Sequence, residues 1–153
     1  MTRPNSPIRI IIADDHPVFI EGLHSVIKKF KKNEFEIVAE AQDGKELIAM
    51  VEKHMPDVIL TDIQMPGMDG IEATRIIKQR YPDIGIIALT NYNTSDLIMD
   101  MIDAGAKGYL LKNAAREEIF EAIQTVYEGR QLFSSEATIQ LSKAVEIEKK
   151  KHN

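Results

Sequence analysis

The chain has no cysteine in its 153 residues, so disulfides and thiolate chemistry are excluded. It also lacks any apolar run long enough to span a bilayer and any signal-peptide-like stretch at its start, which makes the cytoplasm the expected compartment and implies no membrane partner. Basic charge is not in excess. With 19 Lys and Arg against 24 Asp and Glu the formal net charge is −5. The nonspecific grip on nucleic acid that comes from neutralising phosphates is therefore not expected of this chain alone. What remains is ordinary for a globular protein: 44% hydrophobic and 28% charged residues, in a length that suits one domain with a sizeable core.

Five short segments rich in Ile, Val and Leu, at residues 8–13, 36–41, 58–61, 85–90 and 108–111, read as buried parallel strands. Helical periodicity fills the gaps between them. The first helix carries Phe19, Ile20, Leu23, Val26, Ile27 and Phe30 on one face and is opened by Pro17 in its first turn. The second carries Leu47, Ile48 and Val51 after Asp43; the third carries Ala73, Ile76 and Ile77 after Asp69, a cap paired with Glu72 three residues on. A fourth helix, 94–104, has the least decided face, with Leu97, Ile98, Met101 and Ile102 behind a start crowded with Asn, Thr, Ser and Asp. The fifth, 114–128, turns Ile119, Ala122, Ile123 and Val126 inward and ends at Gly129, a left-handed cap position. Strict alternation of strand and helix with right-handed crossovers predicts a doubly wound α/β fold, a five-stranded parallel sheet with helices on both faces. The expected organisation is an N-terminal arm at 1–7, the α/β domain at 8–130, and a linker helix with a charged tail at 131–153, where Ala137, Leu141, Ala144 and Val145 form a stripe. Lys149 to Lys151 reads as a solvated helix end.

In such a sheet, ligands sit outside the carboxyl ends of the strands, so polar residues just after an apolar strand carry the information. Asp14 and Asp15 follow the first strand and Asp62 follows the third. In strand order 2-1-3-4-5 these strands are neighbours, and the three acids converge. Carboxylates packed that closely repel unless a hard, oxygen-seeking cation neutralises them, and Mg²⁺ is the natural candidate. A plainer reading makes Asp14 and Asp15 helix caps and Asp62 the start of a turn before Pro66 and Gly67. Two more strand ends weigh against it: Thr90 offers a hydroxyl and Lys112 a compact cation, the groups that stabilise a transferring phosphoryl. Alone, Thr90 is a β-former and Lys112 a snorkelling surface residue; in that strand order they make a phosphoryl-transfer site.

The segments Ile12-Ala-Asp-Asp-His-Pro17, Thr61-Asp-Ile-Gln-Met-Pro-Gly-Met-Asp-Gly70, Ala88-Leu-Thr90 and Ala104-Gly-Ala-Lys-Gly-Tyr-Leu-Leu-Lys112 resemble the receiver domains of bacterial two-component response regulators, over residues 8–129. The strand order used above comes from that family. The Asp-Asp-His-Pro and Gly-Tyr-Leu-Leu-Lys-Asn runs are similar to the NarL/FixJ (LuxR-type) subfamily. The resemblance implies that Asp62 takes a phosphoryl group from a partner histidine kinase. It further implies that Asp15 and Asp62 bind Mg²⁺ directly, that Asp14 holds it through water, and that Gln64 adds its backbone carbonyl. Thr90 and Tyr109 would be switch residues, Tyr109 rotating inward, and Lys112 would pair with the phosphoryl group. Two positions depart from the usual pattern. Asn113 stands where receivers commonly have a proline after a cis bond; a non-proline cis bond costs about 3 kcal/mol or more, so the bond here is either trans or strained. Asn91, larger than the residue often found after the switch threonine, would shade an aspartyl phosphate and slow its hydrolysis.

Three rival readings follow from the same residues. A haloacid-dehalogenase-type phosphatase would need a second Asp two residues beyond the nucleophile, and Gln64 stands there, so the chain is not read as an enzyme. A module keeping only the fold would have lost one of Asp62, Thr90 or Lys112, and none is lost. A stand-alone receiver acting in a phosphorelay or by protein–protein contact is the alternative to a transcription regulator, because nothing after Ser135 is long enough for a helix-turn-helix; DNA contact is expected only through an output domain absent from this sequence. Homodimerisation, through the face of the fourth helix, fifth strand and fifth helix or through the first helix, is compatible with the sequence.

Overall fold

Runs such as Ile10-Ile-Ile-Ala13 and Val58-Ile-Leu-Thr61 leave no polar face, and a strand of that kind is stable only when both sides are covered. The computed structural model, which describes residues 6–91 and 95–133, covers them. The order is β1 (Ile8–Ala13), α1 (Pro17–Phe30), β2 (Phe35–Ala41), α2 (Gly44–His54), β3 (Val58–Thr61), α3 (Gly70–Arg80), β4 (Gly85–Thr90), α4 (Ser95–Ala104), β5 (Gly108–Leu111), α5 (Arg116–Tyr127) and β6 (Leu132–Phe133). All pairings are parallel, in the order β2-β1-β3-β4-β5-β6. The predicted order of the first five strands is found. The sixth is an addition: Leu132 and Phe133, assigned from sequence to the linker, pair with Gly108 and Tyr109 on the outer edge of β5. The rest of the predicted linker helix lies outside the described residues.

Period-two alternation splits the core into two layers. Ile11, Ala13, Ile59, Ile86, Ala88 and Tyr109 face Leu47 and Val51 of α2, Ala73 and Ile77 of α3, and Ile98 and Met101 of α4. Ile10, Ile12, Val58, Leu60, Ile87, Leu89 and Leu110 face Ile20, Leu23 and Ile27 of α1 and Ile119, Ala122, Ile123 and Val126 of α5. One predicted core residue is not in the core. Phe30, at the last position of α1, is exposed, with the Arg116 guanidinium carbon 4.0 Å and the Lys29 ammonium 5.3 Å from its ring centre. It lines an open pocket with Phe35, Arg116 and Phe120 instead.

Local signals set the ends. Asp43 and Asp69 each accept from the backbone N–H three residues on, at Glu46 (2.8 Å) and Glu72 (2.9 Å), as N-caps do. Gly129, φ +86°, follows the last residue of the α5 cap, and the Arg130 N–H reaches back to the Thr125 carbonyl, closing the left-handed turn. β2 carries an irregularity: Ile10 pairs with Ile37 and Ile11 with Ala39, so Val38 is skipped. Among the described residues, no helix is long and apolar enough to cross a membrane.

Ile59, fully buried in the central strand β3, tests the layering. Ile59→Ala is expected to lower unfolding free energy by about 2–5 kcal/mol, read from the midpoint of a urea transition at unchanged slope.

Candidate functional site

The sheet register brings the strand ends together. Asp14 follows β1 and its N–H donates to the Ala41 carbonyl; Asp62 follows β3 and its N–H donates to Ala13; the Lys112 N–H, after β5, donates to Thr90. Each hydrogen bond extends a parallel ladder by one residue, so the polar side chains emerge at one edge. Asp14 and Asp62 are almost fully buried there.

Lys112 joins the two acids. Its ammonium lies 2.6 Å from Asp14 Oδ2 and donates to Asp62 Oδ2 at 3.0 Å, and the side chain is itself nearly buried. The Asp14 contact is a close, buried ion pair. Burial alone lowers the lysine's proton affinity; the bonds and charges of Asp14 and Asp62 more than offset it, and the net shift is upward. Lys112 is thus a fixed cation at neutral pH. The Phe19 ring, 4.9 Å from the ammonium, closes its outer side. Asp62 Oδ1 accepts from the Ile63 N–H at 2.7 Å.

Asp14 and Asp15 do not cap α1. The N-cap is His16, which makes no side-chain capping bond, and Asp14 Oδ1 instead accepts from the His16 backbone N–H at 2.8 Å. Asp15 is partly exposed and lines a pocket of about 390 Å³ with His16, Asp62, Gln64, Met65, Pro66 and Asn91. Thr90 ends β4, fully buried, in register with Leu111 beside Lys112. One ligand atom from each of Asp14, Asp15, His16 and Asp62 lies within 4.8 Å of the others. Three carboxylates against one ammonium leave excess negative charge: Asp14 Oδ2 is held by Lys112, while Asp15 Oδ1 is a buried oxygen that accepts no hydrogen bond. A hard divalent cation fits that donor set.

Sequence reasoning gave His16 no role at this site, although its position two residues from Asp14 was the available signal. The Tyr109 ring is fully buried, on the α3–α4 side of the sheet. Burial first, and the Asp62 charge second, push its phenol well above the usual range. The Lys112–Asn113 bond is trans, since no described peptide bond is cis, and Asn113 is exposed.

The loop from Asp62 to α3 is pinned by Gly70. Its N–H donates to the Ile63 carbonyl at 2.7 Å, and a β-carbon there would stand 2.1 Å from the Asp62 carbonyl oxygen. Backbone must move to admit one. Gly70→Ala is therefore expected to cost about 1–3 kcal/mol of stability by overpacking, and to shift the amide resonances of Asp62 and Ile63 in a heteronuclear NMR spectrum more than those of β2. Tyr109 yields a second expectation. A tyrosine whose folded pKa is raised contributes stability that is complete below its unfolded pKa, about 10, and is lost as pH rises toward the folded value. In a spectrophotometric alkaline titration, one of the four tyrosines should ionise only with unfolding, and Tyr109→Phe should abolish that late step.

The model of the response regulator receiver domain matches residues 10–124. The transcriptional regulatory protein DegU of Brevibacillus brevis is 41% identical over 122 residues, covering 80% of this chain but only 51% of DegU, so the chain spans about half the length of that relative. Among solved structures, a LuxR-family two-component response regulator from Aurantimonas superposes with a TM-score of 0.83 at 32% identity, over 91% of this chain and 98% of that one. The RcsB response regulator of Salmonella typhimurium, described for its DNA interaction, superposes at 0.80 with 28% identity, over 90% of this chain and 67% of RcsB. The chain belongs to the response regulator receiver domain family.

Proposed function

We propose that this receiver accepts a phosphoryl group on Asp62 from a partner histidine kinase in the cytoplasm, with Mg²⁺, and passes the change to a transcription-regulating output. The observation that carries the reading is the Lys112 bridge between Asp14 and Asp62: a buried nucleophile held by a buried cation, open on one side to a pocket. One carboxylate oxygen of Asp62 forms the bond to phosphorus as the phosphorus–nitrogen bond to the donor histidine breaks, its electron pair staying on the imidazole. Asp15, Asp62 and the Gln64 backbone carbonyl would hold the metal directly, and Asp14 through water. When bound, Mg²⁺ neutralises charge on the phosphoryl oxygens.

Lys112 supports the reading from this chain's own side. It stands 3.0 Å from the Asp62 oxygen, is charged at neutral pH, and can follow a phosphoryl oxygen with little movement. Thr90, at the adjoining strand end, would donate its hydroxyl to a second oxygen. Asn91 lines the same pocket and would shade the acyl phosphate from water. The relatives' greater length supports a DNA-binding output beyond the receiver, and pairing of two copies would suit such an output.

Purified chain incubated with acetyl phosphate and Mg²⁺ is expected to gain one phosphoryl mass in an intact-mass spectrum. Asp62→Asn and an EDTA-treated sample should gain none. Equal uptake by Asp62→Asn would place the acceptor elsewhere, and no uptake by the wild-type chain with metal would favour a binding-only role.

A further inference from the structure

His16 stands at the site with no part in phosphoryl transfer. It occupies the N-cap of α1, where Ser, Thr, Asp or Asn usually gives its side chain to the first turn, yet the imidazole makes no such bond. The ring is turned back toward the acids. Nδ1 is hydrogen-bonded to Asp14 Oδ1 at 2.8 Å and lies 3.1 Å from Asp15 Oδ1, and the residue lines the same pocket as Asp62 and Gln64. Pro17 at the first helical position and the His16 N–H bond to Asp14 fix the backbone from which the ring hangs.

Adjacent ligands on a cation with bonds of about 2.0–2.2 Å stand roughly 3 Å apart, so a deprotonated Nδ1 that exchanges its hydrogen bond to Asp14 for an ion can share that ion with Asp15, 3.1 Å away, with little swing of the ring. The ligand's type then matters. Carboxylates and a carbonyl make a hard oxygen site suited to Mg²⁺; one neutral imidazole moves the set toward ions such as Zn²⁺ and Ni²⁺, which bind such mixed sites more tightly. We propose that His16 is a direct ligand at this acidic site for borderline divalent ions, so that Zn²⁺ competes with Mg²⁺ for Asp14, Asp15 and Asp62. The inference rests on the metal reading above. A site of this kind would make phosphoryl uptake sensitive to free zinc, without any second regulatory pocket.

Calorimetric titration of the chain with Zn²⁺, alone and against saturating Mg²⁺, tests it, using wild type, His16→Asn and Asp15→Asn. Zn²⁺ is expected to bind wild type at least about tenfold more tightly than Mg²⁺, and Mg²⁺ to weaken it in competition. In His16→Asn the ratio of zinc to magnesium affinity should fall about tenfold or more. His16 is largely exposed, so the variant should keep its fold, checked by circular dichroism. An unchanged ratio in His16→Asn overturns the proposal while Mg²⁺ binding, lost in Asp15→Asn, keeps the metal reading. Zinc that Mg²⁺ does not displace also overturns it, placing the ion elsewhere, for example at the His24–Glu40 pair. Failure of Mg²⁺ itself to bind wild type sinks the metal reading and this inference with it.

Discussion

The ammonium of Lys112 holds two buried carboxylates that would otherwise repel each other at the edge of the sheet. Breaking a buried charge cluster by removing one partner costs about 3–5 kcal/mol, because it strands the others away from water. Such a cluster persists only if the scaffold fixes its members, and the scaffold does so with backbone. Asp14, Asp62 and Lys112 each extend a strand ladder through their own N–H, so their positions follow from the register of β1, β3 and β5 and not from flexible loops. The apolar strands serve chemistry as well as stability: they carry three charges to one edge and leave no freedom in where they arrive.

That dependence explains what the sequence could reveal. Uninterrupted runs such as Ile10 to Ala13 and Gly85 to Thr90 declare buried strands whatever surrounds them; the first is followed directly by Asp14 and the second ends on Thr90. Once the strand order is known, the convergence of Asp14, Asp62, Thr90 and Lys112 follows. The order itself came from family resemblance, since periodicity is silent about which strands are neighbours.

The misreadings have equally definite causes. A strand of two residues, Leu132 and Phe133, has no period to detect, and it forms because β5 has a free edge to pair with. Phe30 fits the helical period of α1, but period says which face a residue is on and not whether that residue is covered. His16 was hidden by its neighbours: between two acids and a helix-starting proline it reads as a linker, and only the ring's direction shows it belongs to the acids.

Tyr109 also shows how the site reaches the far face. It lies on β5, three residues before Lys112, packed in the layer that contains Ile98 and Met101 of α4, and the Asp62 charge is one cause of its raised proton affinity. A phosphoryl group at Asp62 would add up to about two negative charges close to that phenol. It would also compete with Asp14 for Lys112, so the bridge that sets the resting charge balance is the contact a phosphoryl group would rearrange first. Asp14 would then face the added charge with less of the lysine to itself, which is a physical reason for a cation at the same edge. The acidic edge and the α4 layer are therefore linked through one lysine and the strand that precedes it.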